Sequence, residues 1–301
     1  MATVAESLRV PERSASTRIG VSILTYNRID EVSRTVERML SLPEKPPIVV
    51  VDNGSTDGTP EILAQRFPDV RCLTLTGNPG AAGRNAGVAA LDTPYVALCD
   101  DDTWWDPGSL SLGATLMDAY PQLAVVTGRV LVGPENRLDP TCREMAESPI
   151  LVDGPLPGPA LLGFLAGASM VRRSAFLAVG GFEQRFFIGG EEELMTLDLL
   201  GAGWELCYVD DVVVHHHPSE MSRDTSRRRK TVARNHLWVA WMRYPSTWAL
   251  KATARAARAA LTDRPSRAAL GEALRALPWA LRRRRVVPPE VQRRLRQLAA
   301  G

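Results

Sequence analysis

The chain has 301 residues and a formal net charge of +2, with 45% hydrophobic and 23% charged side chains, an ordinary soluble globular composition long enough for one large domain or two. Its four cysteines, Cys72, Cys99, Cys142 and Cys207, form no CxxC pair, which favours buried free thiols in a reducing cytoplasm over a disulfide framework, and no apolar stretch approaches a membrane span. Charge is unevenly spread: Lys251–Gly301 holds 13 basic and 3 acidic residues, +10, leaving −8 for the first 250 residues, so acidic body and basic tail are expected to have separate jobs.

Residues 1–17 lack an apolar core and read as a flexible leader, not a signal peptide. Ile19–Leu24 is a short apolar run expected as a buried strand. After TYNR, Ile29, Val32, Val36, Met39 and Leu40 share one face at helical spacing, and Pro43, Pro46 and Pro47 end that helix. Ile48–Val51 predicts a second strand, closed by the turn Asp52-Asn53-Gly54-Ser55. Thr59-Pro60-Glu61 predicts a helix start with Thr59 as N-cap. Val70–Leu75 predicts a strand, Gly83–Leu91 a helix, and Tyr95–Cys99 a strand running into Asp100-Asp101-Asp102. Asp106-Pro107 reads as another cap-plus-proline start. Leu123–Val132 reads as strands, and the proline-rich stretch 134–159 as a loop over the site. Phe164–Val171 and Leu206–Val214 are expected strands, with a helix over about Glu191–Leu200 between them. Beyond Asp224 the Arg/Ala-rich chain is expected to be helical.

Strand–helix alternation predicts a doubly wound α/β sheet, parallel in its first half. Ligands bind such sheets beyond the carboxyl ends of the strands, where the sequence puts Thr25-Tyr26, Asp52-Asn53 and Asp100–Asp102. Three adjacent carboxylates after a buried strand are costly unless cations compensate them. On an extended chain Asp100 and Asp102 point one way and Asp101 the other, so two carboxylates can share Mg²⁺ or Mn²⁺; a solvated, helix-capping turn is the alternative. In His215-His216-His217 alternation separates His216 from its neighbours, either as a metal ligand or in a polar strand end. Glu191-Glu192-Glu193 opens a helix after Gly189-Gly190, which suits the helix dipole and equally a general base. The loop Gly77–Asn85 permits close backbone approach, and Arg84 can pair with phosphate or with the Asp run; it matches neither GxxxxGK[ST] nor GxGxxG.

Taken in order, VSILTYNR, VVVDNGSTDGTPE, GNPGAAGRNAG, YVALCDDDTWWDPGSL and GGFEQRFFIGGEEELMTLDLLGAGWELCYVDDVVVHHHPS resemble the family-2 glycosyltransferases of GT-A fold, over roughly Arg18–Ser219. The last segment resembles the bacterial rhamnosyl- and galactofuranosyltransferase-like members. The resemblance implies a mixed, mainly parallel Rossmann-like sheet with flanking helices, followed by a helical basic extension over 220–301. It implies that Thr25, Tyr26 and Asp52 hold base and ribose, with Asn27, Arg28, Asn53 and Asp101 completing the nucleotide-sugar site and Arg84 beside the diphosphate. Asp100 and Asp102 fall on the DxD motif, which binds ribose and a divalent metal, Mn²⁺ or Mg²⁺. His216 falls on a metal-binding histidine, with His217 as the alternative. Glu191-Glu192 occupies the family's Glu-Asp pair, whose second member is the catalytic base; a glutamate here leaves open which of Glu191, Glu192 and Glu193 serves. Inverting transfer from a UDP- or dTDP-linked sugar to a glycan or lipid-linked acceptor is the implied reaction.

The basic tail is the least informative segment. Arg223, Arg227–Arg229 and Arg234 could complete an anion site or form a solvated helix face. Arg282–Arg285, with Leu277, Trp279 and Leu281, resembles a membrane-surface patch, so peripheral contact with the inner membrane face is an expectation. No recognition motif supports nucleic-acid binding. The competing reading is a catalytically silent nucleotide-sugar-binding or scaffolding protein; a polyprenyl-phosphate glycosyltransferase is a variant within the enzyme reading.

Overall fold

A computed structural model describes residues 18–219 and 225–300; the expected leader, and Arg223, lie outside the described residues. Among the described residues nine strands form one mixed sheet. They are β1 (Ile19–Thr25), β2 (Ile48–Asp52), β3 (Arg71–Thr74), β4 (Tyr95–Asp100), β5 (Thr103–Trp105), β6 (Leu123–Val132), β7 (Arg137–Leu138), β8 (Ser169–Arg172) and β9 (Glu205–His216). The order is β3-β2-β1-β4-β8-β6-β9-β5, with β7 on β6. The β3-β2-β1-β4 half is parallel, as is β6 with β9, whereas β8 and β5 run antiparallel to their neighbours.

The parallel half follows from its sequence. β1, β2 and β4 are apolar at nearly every position because helices cover both faces of a doubly wound sheet. Helix α1 (Ile29–Ser41) buries Val32, Val36 and Met39; Leu40, expected on the same face, is exposed. Helix α2 (Thr59–Arg66) starts one residue earlier than expected. Thr59 is already helical, and Asp57 caps it, accepting from Thr59 N at 3.1 Å and Thr59 Oγ1 at 2.5 Å. Helix α3 (Arg84–Ala90) follows a 3-10 turn over Gly80–Gly83. Helix α4 (Ser109–Ala119), by contrast, begins later than expected, beyond Pro107 and after Gly108 in the left-handed region, and the Asp106 side chain is not its cap.

Register brings three strand ends together. Leu24 pairs with Asp100, Thr25 with Asp52, and Asp52 with Thr74. The second half is more irregular than expected. Leu123–Val132 is one long strand. Phe164–Val171 is a strand only from Ser169, because Ala166–Ala168 forms a 3-10 turn. The β6–β9 register slips between Gly128 and Arg129, so Arg129 faces Val213 while Gly128 faces Val209. That irregularity sets the end of β9 beside β5, Thr103 opposite His216.

The stretch 134–159 is not a loop over the site. It contains β7 and helix α5 (Pro140–Ala146), capped by the Asp139 side chain, and then runs toward the opposite end of the sheet. There Gln122 Nε2 donates to Pro155 O at 3.0 Å and Ala160 bridges Cys207 in β9. Cys142 and Met145 of α5 are buried, so this segment covers core that a free loop would leave wet.

Helices α6 (Arg173–Ala178) and α7 (Glu191–Gly201) flank the sheet. The expected helical tail is α8 (Thr225–Arg243), α9 (Ser246–Thr262), α10 (Arg264–Arg275), α11 (Leu277–Arg282) and α12 (Pro289–Ala300). Among its residues Trp238 packs between Phe186 and Trp279, ring centroids at 5.8 and 5.2 Å. Burying one such ring removes roughly 200 Å² from water and contributes about 5 kcal/mol before entropy. Arg243, buried, grips Asp198 of α7 through Nε and Nη2, with Nη2–Oδ2 at 2.9 Å, and Arg294 of α12 holds Glu205 of β9 at 2.7 and 2.9 Å. Replacing Arg243 by Ala strands the Asp198 carboxylate; because that carboxylate keeps partial solvent access, a loss of about 2 kcal/mol is expected. Urea denaturation measures it, and an unchanged midpoint would rule out the tie as a stabilising contact.

Candidate active site

The acidic run is a turn, not an extended strand. Asp100 closes β4, the chain reverses through Asp101-Asp102, and β5 begins at Thr103. Thr103 Oγ1 secures the reversal, accepting from Asp100 N at 2.8 Å and donating to Gly167 O at 3.0 Å. Strand alternation therefore does not govern where these carboxylates point, and each has its own partners. Asp100, the most exposed, pairs with the buried Arg84 guanidinium. Asp101 is buried and accepts from Thr25 Oγ1 at 3.1 Å and from Arg28. Asp102, also buried, accepts from Arg28 Nη1 at 3.1 Å and lies 3.5 Å from His216 Nε2.

Arg28 thus spans two adjacent carboxylates with one guanidinium and also reaches Ser219. Even so, burial pushes the Asp101 carboxyl up to about 7; Arg28 opposes that shift and the Asp102 and Asp100 charges add to it. Asp101, expected in the nucleotide-sugar site, is the member of the run held by Thr25 and Arg28.

The other two strand ends are knitted to it. Asp52 is buried and accepts from Ser55 N at 3.0 Å and from the Ser55 hydroxyl. Asn53 N donates to Thr25 O at 2.9 Å, and its side-chain amide to Gly80 O at 3.0 Å. Asn27, at φ +52°, accepts from Thr56 N at 2.7 Å, while Tyr26 is left 42% exposed. Gly80 is required where it sits: a Cβ there would stand 2.0 Å from Phe187 O, the acceptor for Ala81 N. The glycine-rich loop is thereby docked on the segment that leads into Gly189-Gly190.

The histidines divide as alternation predicts. His215 stacks on Trp104 and makes contacts to Asp106 at 3.0 Å and Asn136 at 3.2 Å. His217 meets the same ring edge-on, centroids 4.6 Å apart, and Arg38 lies over its face at 3.8 Å. His216 is the one beside Asp102. Burial and the Arg38 charge hold the His217 imidazole below its ordinary pKa.

The three glutamates also part company. Glu191 is buried, its Oε2 has no hydrogen-bond partner, and burial raises its carboxyl, opposed by the charges of Arg84 and Arg228. Glu192 accepts from Ala166 N at 2.8 Å. Burial, then the Glu191 charge, push it up to about 7, with Asp100 adding and Arg84 opposing. Glu193 turns to the C-terminal helix region, accepting from Tyr244 Oη at 2.6 Å and lying 2.6 Å from His236 Nδ1. The Ala166-Gly167 turn links Glu192 to the acidic run, since a Cβ on Gly167 would come within 2.5 Å of Asp100 Oδ2. Asp100, Arg84, Glu191 and Glu192 therefore occupy one neighbourhood.

Two contributors were not foreseen. Ala166-Gly167 lies in a stretch read as strand. Asn235, fully buried on α8, donates to Phe186 O at 2.9 Å, to Ile188 O at 3.2 Å and to Gly189 O, fixing the lead-in to the glutamates. A lone asparagine in an Arg/Ala-rich helix gives no signal of that contact.

Asp102 with His216 offers one hard oxygen and one imidazole nitrogen, a donor pair that fits Mn²⁺ or Mg²⁺. Among the described residues no group of three or more His, Cys, Asp or Glu is set to enclose an ion. An ion there would fill its shell with water and substrate phosphate, the usual habit of these cations.

With the geometry in place, comparison with known proteins is informative. Residues 21–180 match the family described as Glycosyl transferase family 2, more than half of the chain. A Mycobacterium tuberculosis protein, N-acetylglucosaminyl-diphospho-decaprenol L-rhamnosyltransferase, is 28% identical over 276 residues, covering 77% of this chain and 88% of its own. Among solved structures, the Pyrobaculum calidifontis mannosyltransferase PcManGT in complex with GDP-Man and Mn²⁺ superposes with TM-score 0.56 at 21% identity, covering 94% of this chain and 75% of its own. GalNAc-T7 with UDP, GalNAc and Mn²⁺ gives TM-score 0.61 at 14% identity, covering 88% and 56%. The chain belongs to glycosyl transferase family 2 and has the GT-A fold.

Arg28 generates a test that does not depend on activity. Its replacement by Ala leaves Asp101 and Asp102 buried without their shared cation, at an expected cost of about 3 kcal/mol. Adding Asp101→Asn to that variant should restore about half of the loss; a double variant no more stable than the single one would reject charge compensation as the role of Arg28.

Proposed function

We propose that this glycosyltransferase moves a sugar from a nucleoside diphosphate donor to an acceptor hydroxyl with inversion at the anomeric carbon, assisted by Mn²⁺ or Mg²⁺. The observation that carries the reading is the pairing of Asp102 with His216 beside a neighbourhood holding Asp100, Arg84 and the raised carboxyl of Glu192. Residues 18–219 form the transferase domain in this reading, and 220–301 its helical extension.

Thr25, Tyr26, Asn27, Asp52 and Asn53 line the donor's base and ribose, on the interlocked turns at the ends of β1 and β2. Arg28 and Asp101 act beneath them by fixing Asp102. Asp102 and His216, with Asp100 as the further carboxylate of the run, would hold the divalent ion, which would supply positive charge against the diphosphate. Arg84 adds fixed positive charge beside Asp100. Glu192 takes the proton of the acceptor hydroxyl as that oxygen bonds to the anomeric carbon and the bond to the diphosphate breaks. Proton and leaving group are thus accounted for, and no covalent enzyme intermediate is needed. Glu193 is committed to Tyr244 and His236, which favours Glu192 over it as base. The name of the mycobacterial relative supports a lipid-linked glycan acceptor. No helix of the described residues is long and apolar enough to cross a membrane, so such an acceptor would be met at a surface.

Asp102→Ala is expected to lose Mn²⁺-dependent binding of UDP and dTDP by calorimetry; undiminished binding removes Asp102 from the metal site. Glu192→Gln should keep donor affinity and lower kcat by about 10²–10⁴-fold. Its pH profile supplies a further check. Burial raises the Glu192 carboxyl's hold on its proton, so the active anionic form is lost as pH falls through about 7. The acid limb of kcat against pH should lie near that value, and a limb near 4.5 would contradict the assignment.

A further inference from the structure

A cavity of about 770 Å³ lies between the Ala178–Gln184 turn, helix α7 and the Arg282–Pro288 segment. It stands apart from the site described above. Its α7 wall is Leu194, Leu197, Asp198 and Gly201, one helical face, whereas Glu192 is rotated about 200° from Leu194 at 3.6 residues per turn. What reaches Glu192 is therefore separated from this cavity by the body of the helix.

Charge in the cavity does not balance. Arg243, Arg282, Arg283 and Arg285 line it against two carboxylates, Glu183 and Asp198. Both carboxylates are taken: Asp198 by Arg243, and Glu183 by Arg283 Nη1 at 2.6 Å. The guanidinium groups of Arg282 and Arg285 have neither hydrogen-bond nor ion-pair partners among the described residues. Arg284, by contrast, points inward and donates to Tyr244 O at 2.8 Å and to Trp241 O. The four-arginine run is thus two structural cations and two free ones, the free pair sharing one concave wall. The apolar surface open to a ligand is Val179, Val286, which is 44% exposed, and Pro288, backed by the buried core side chains Phe182, Leu194, Leu197 and Met242. Leu281, next to Arg282, is exposed as well, and Trp279, expected in a surface patch, is instead buried against Trp238.

We propose that this cavity is a second anion site, taking a phosphate or diphosphate group borne on an apolar body, with Arg282 and Arg285 as its cationic arms. Two guanidinium forks match the charge and the oxygen geometry of a phosphate, and the apolar wall accounts for a ligand larger than the bare anion. The same chemistry is offered by a soluble diphosphate and by an anionic phospholipid headgroup.

The test uses the full chain in EDTA, which removes the divalent ion from the donor site. Inorganic pyrophosphate is titrated by calorimetry, and flotation is measured with phosphatidylcholine vesicles with and without phosphatidylglycerol. Arg282 and Arg285 are exposed and unpartnered, so the double variant Arg282→Glu/Arg285→Glu should fold, as its melting curve will report. The expected result is at least tenfold weaker binding of that variant to whichever probe the wild type takes, with Asp102→Ala unaffected. Loss of pyrophosphate binding identifies a soluble ligand, and loss of flotation a lipid headgroup; either supports the site. Wild-type protein that takes neither probe, or a double variant that binds as the wild type does, overturns it.

Discussion

The fold is organised around one electrostatic constraint: three consecutive carboxylates at the end of a buried parallel strand. Isolated, such a run would be expensive, because burial penalises each charge and the neighbours repel. Arg28 and Arg84 meet the constraint from opposite sides, the first from the loop after β1 and the second from the start of α3. Arg28 lies three residues beyond β1, whose register sets Leu24 opposite Asp100, whereas Arg84 is delivered by the 3-10 turn Gly80–Gly83 that leads into α3. The sheet order, with β1 between β2 and β4, places the loop that carries Arg28 beside the acidic run.

Compensation is deliberately incomplete. Burial first, and then the Asp102 and Asp100 charges, push the Asp101 carboxyl up to about 7 against the opposing charge of Arg28. Glu192, in the first turn of α7, is raised to a similar value by burial and by Glu191. Both shifts persist beside arginines, so these two carboxyls hold their protons more tightly than exposed ones would. A surface acidic turn would not behave so, because water would screen the repulsion.

Much of this was legible in the sequence because it depends on local rules. Apolar runs ending in Thr25, Asp52 and Asp100 locate strand ends, and alternation separates His216 from His215 and His217. What was not legible depends on tertiary placement. The facing of Asp100 and Asp102 failed because Thr103 Oγ1 closes a turn where an extended chain was assumed. Thr59 and Asp106 looked like helix caps by residue type, yet the left-handed glycines Gly58 and Gly108 take the cap positions, with Thr59 already inside its helix and Asp106 two residues before Gly108. The stretch 134–159 lacks periodicity because α5 is short and the rest follows β9 irregularly. Asn235 is 46 residues from Gly189, and only the packing of α8 brings them together.

That last contact bears on how the glutamates are told apart. Three adjacent carboxylates at a helix start look interchangeable in sequence, and the helix dipole favours all of them. Asn235 fixes the backbone entering the helix, Tyr244 and His236 draw Glu193 outward, and Ala166 N engages Glu192. Glu191 is left with a buried oxygen that has no partner, next to a neighbour whose proton affinity it raises. Two carboxyls this close cannot both ionise cheaply, so one is held protonated more tightly than its chemistry alone would dictate. The clamp from α8 therefore does more than brace a loop. By fixing which glutamate turns away, it determines which two remain to share the burden, and so makes the C-terminal helices part of the electrostatics of the site.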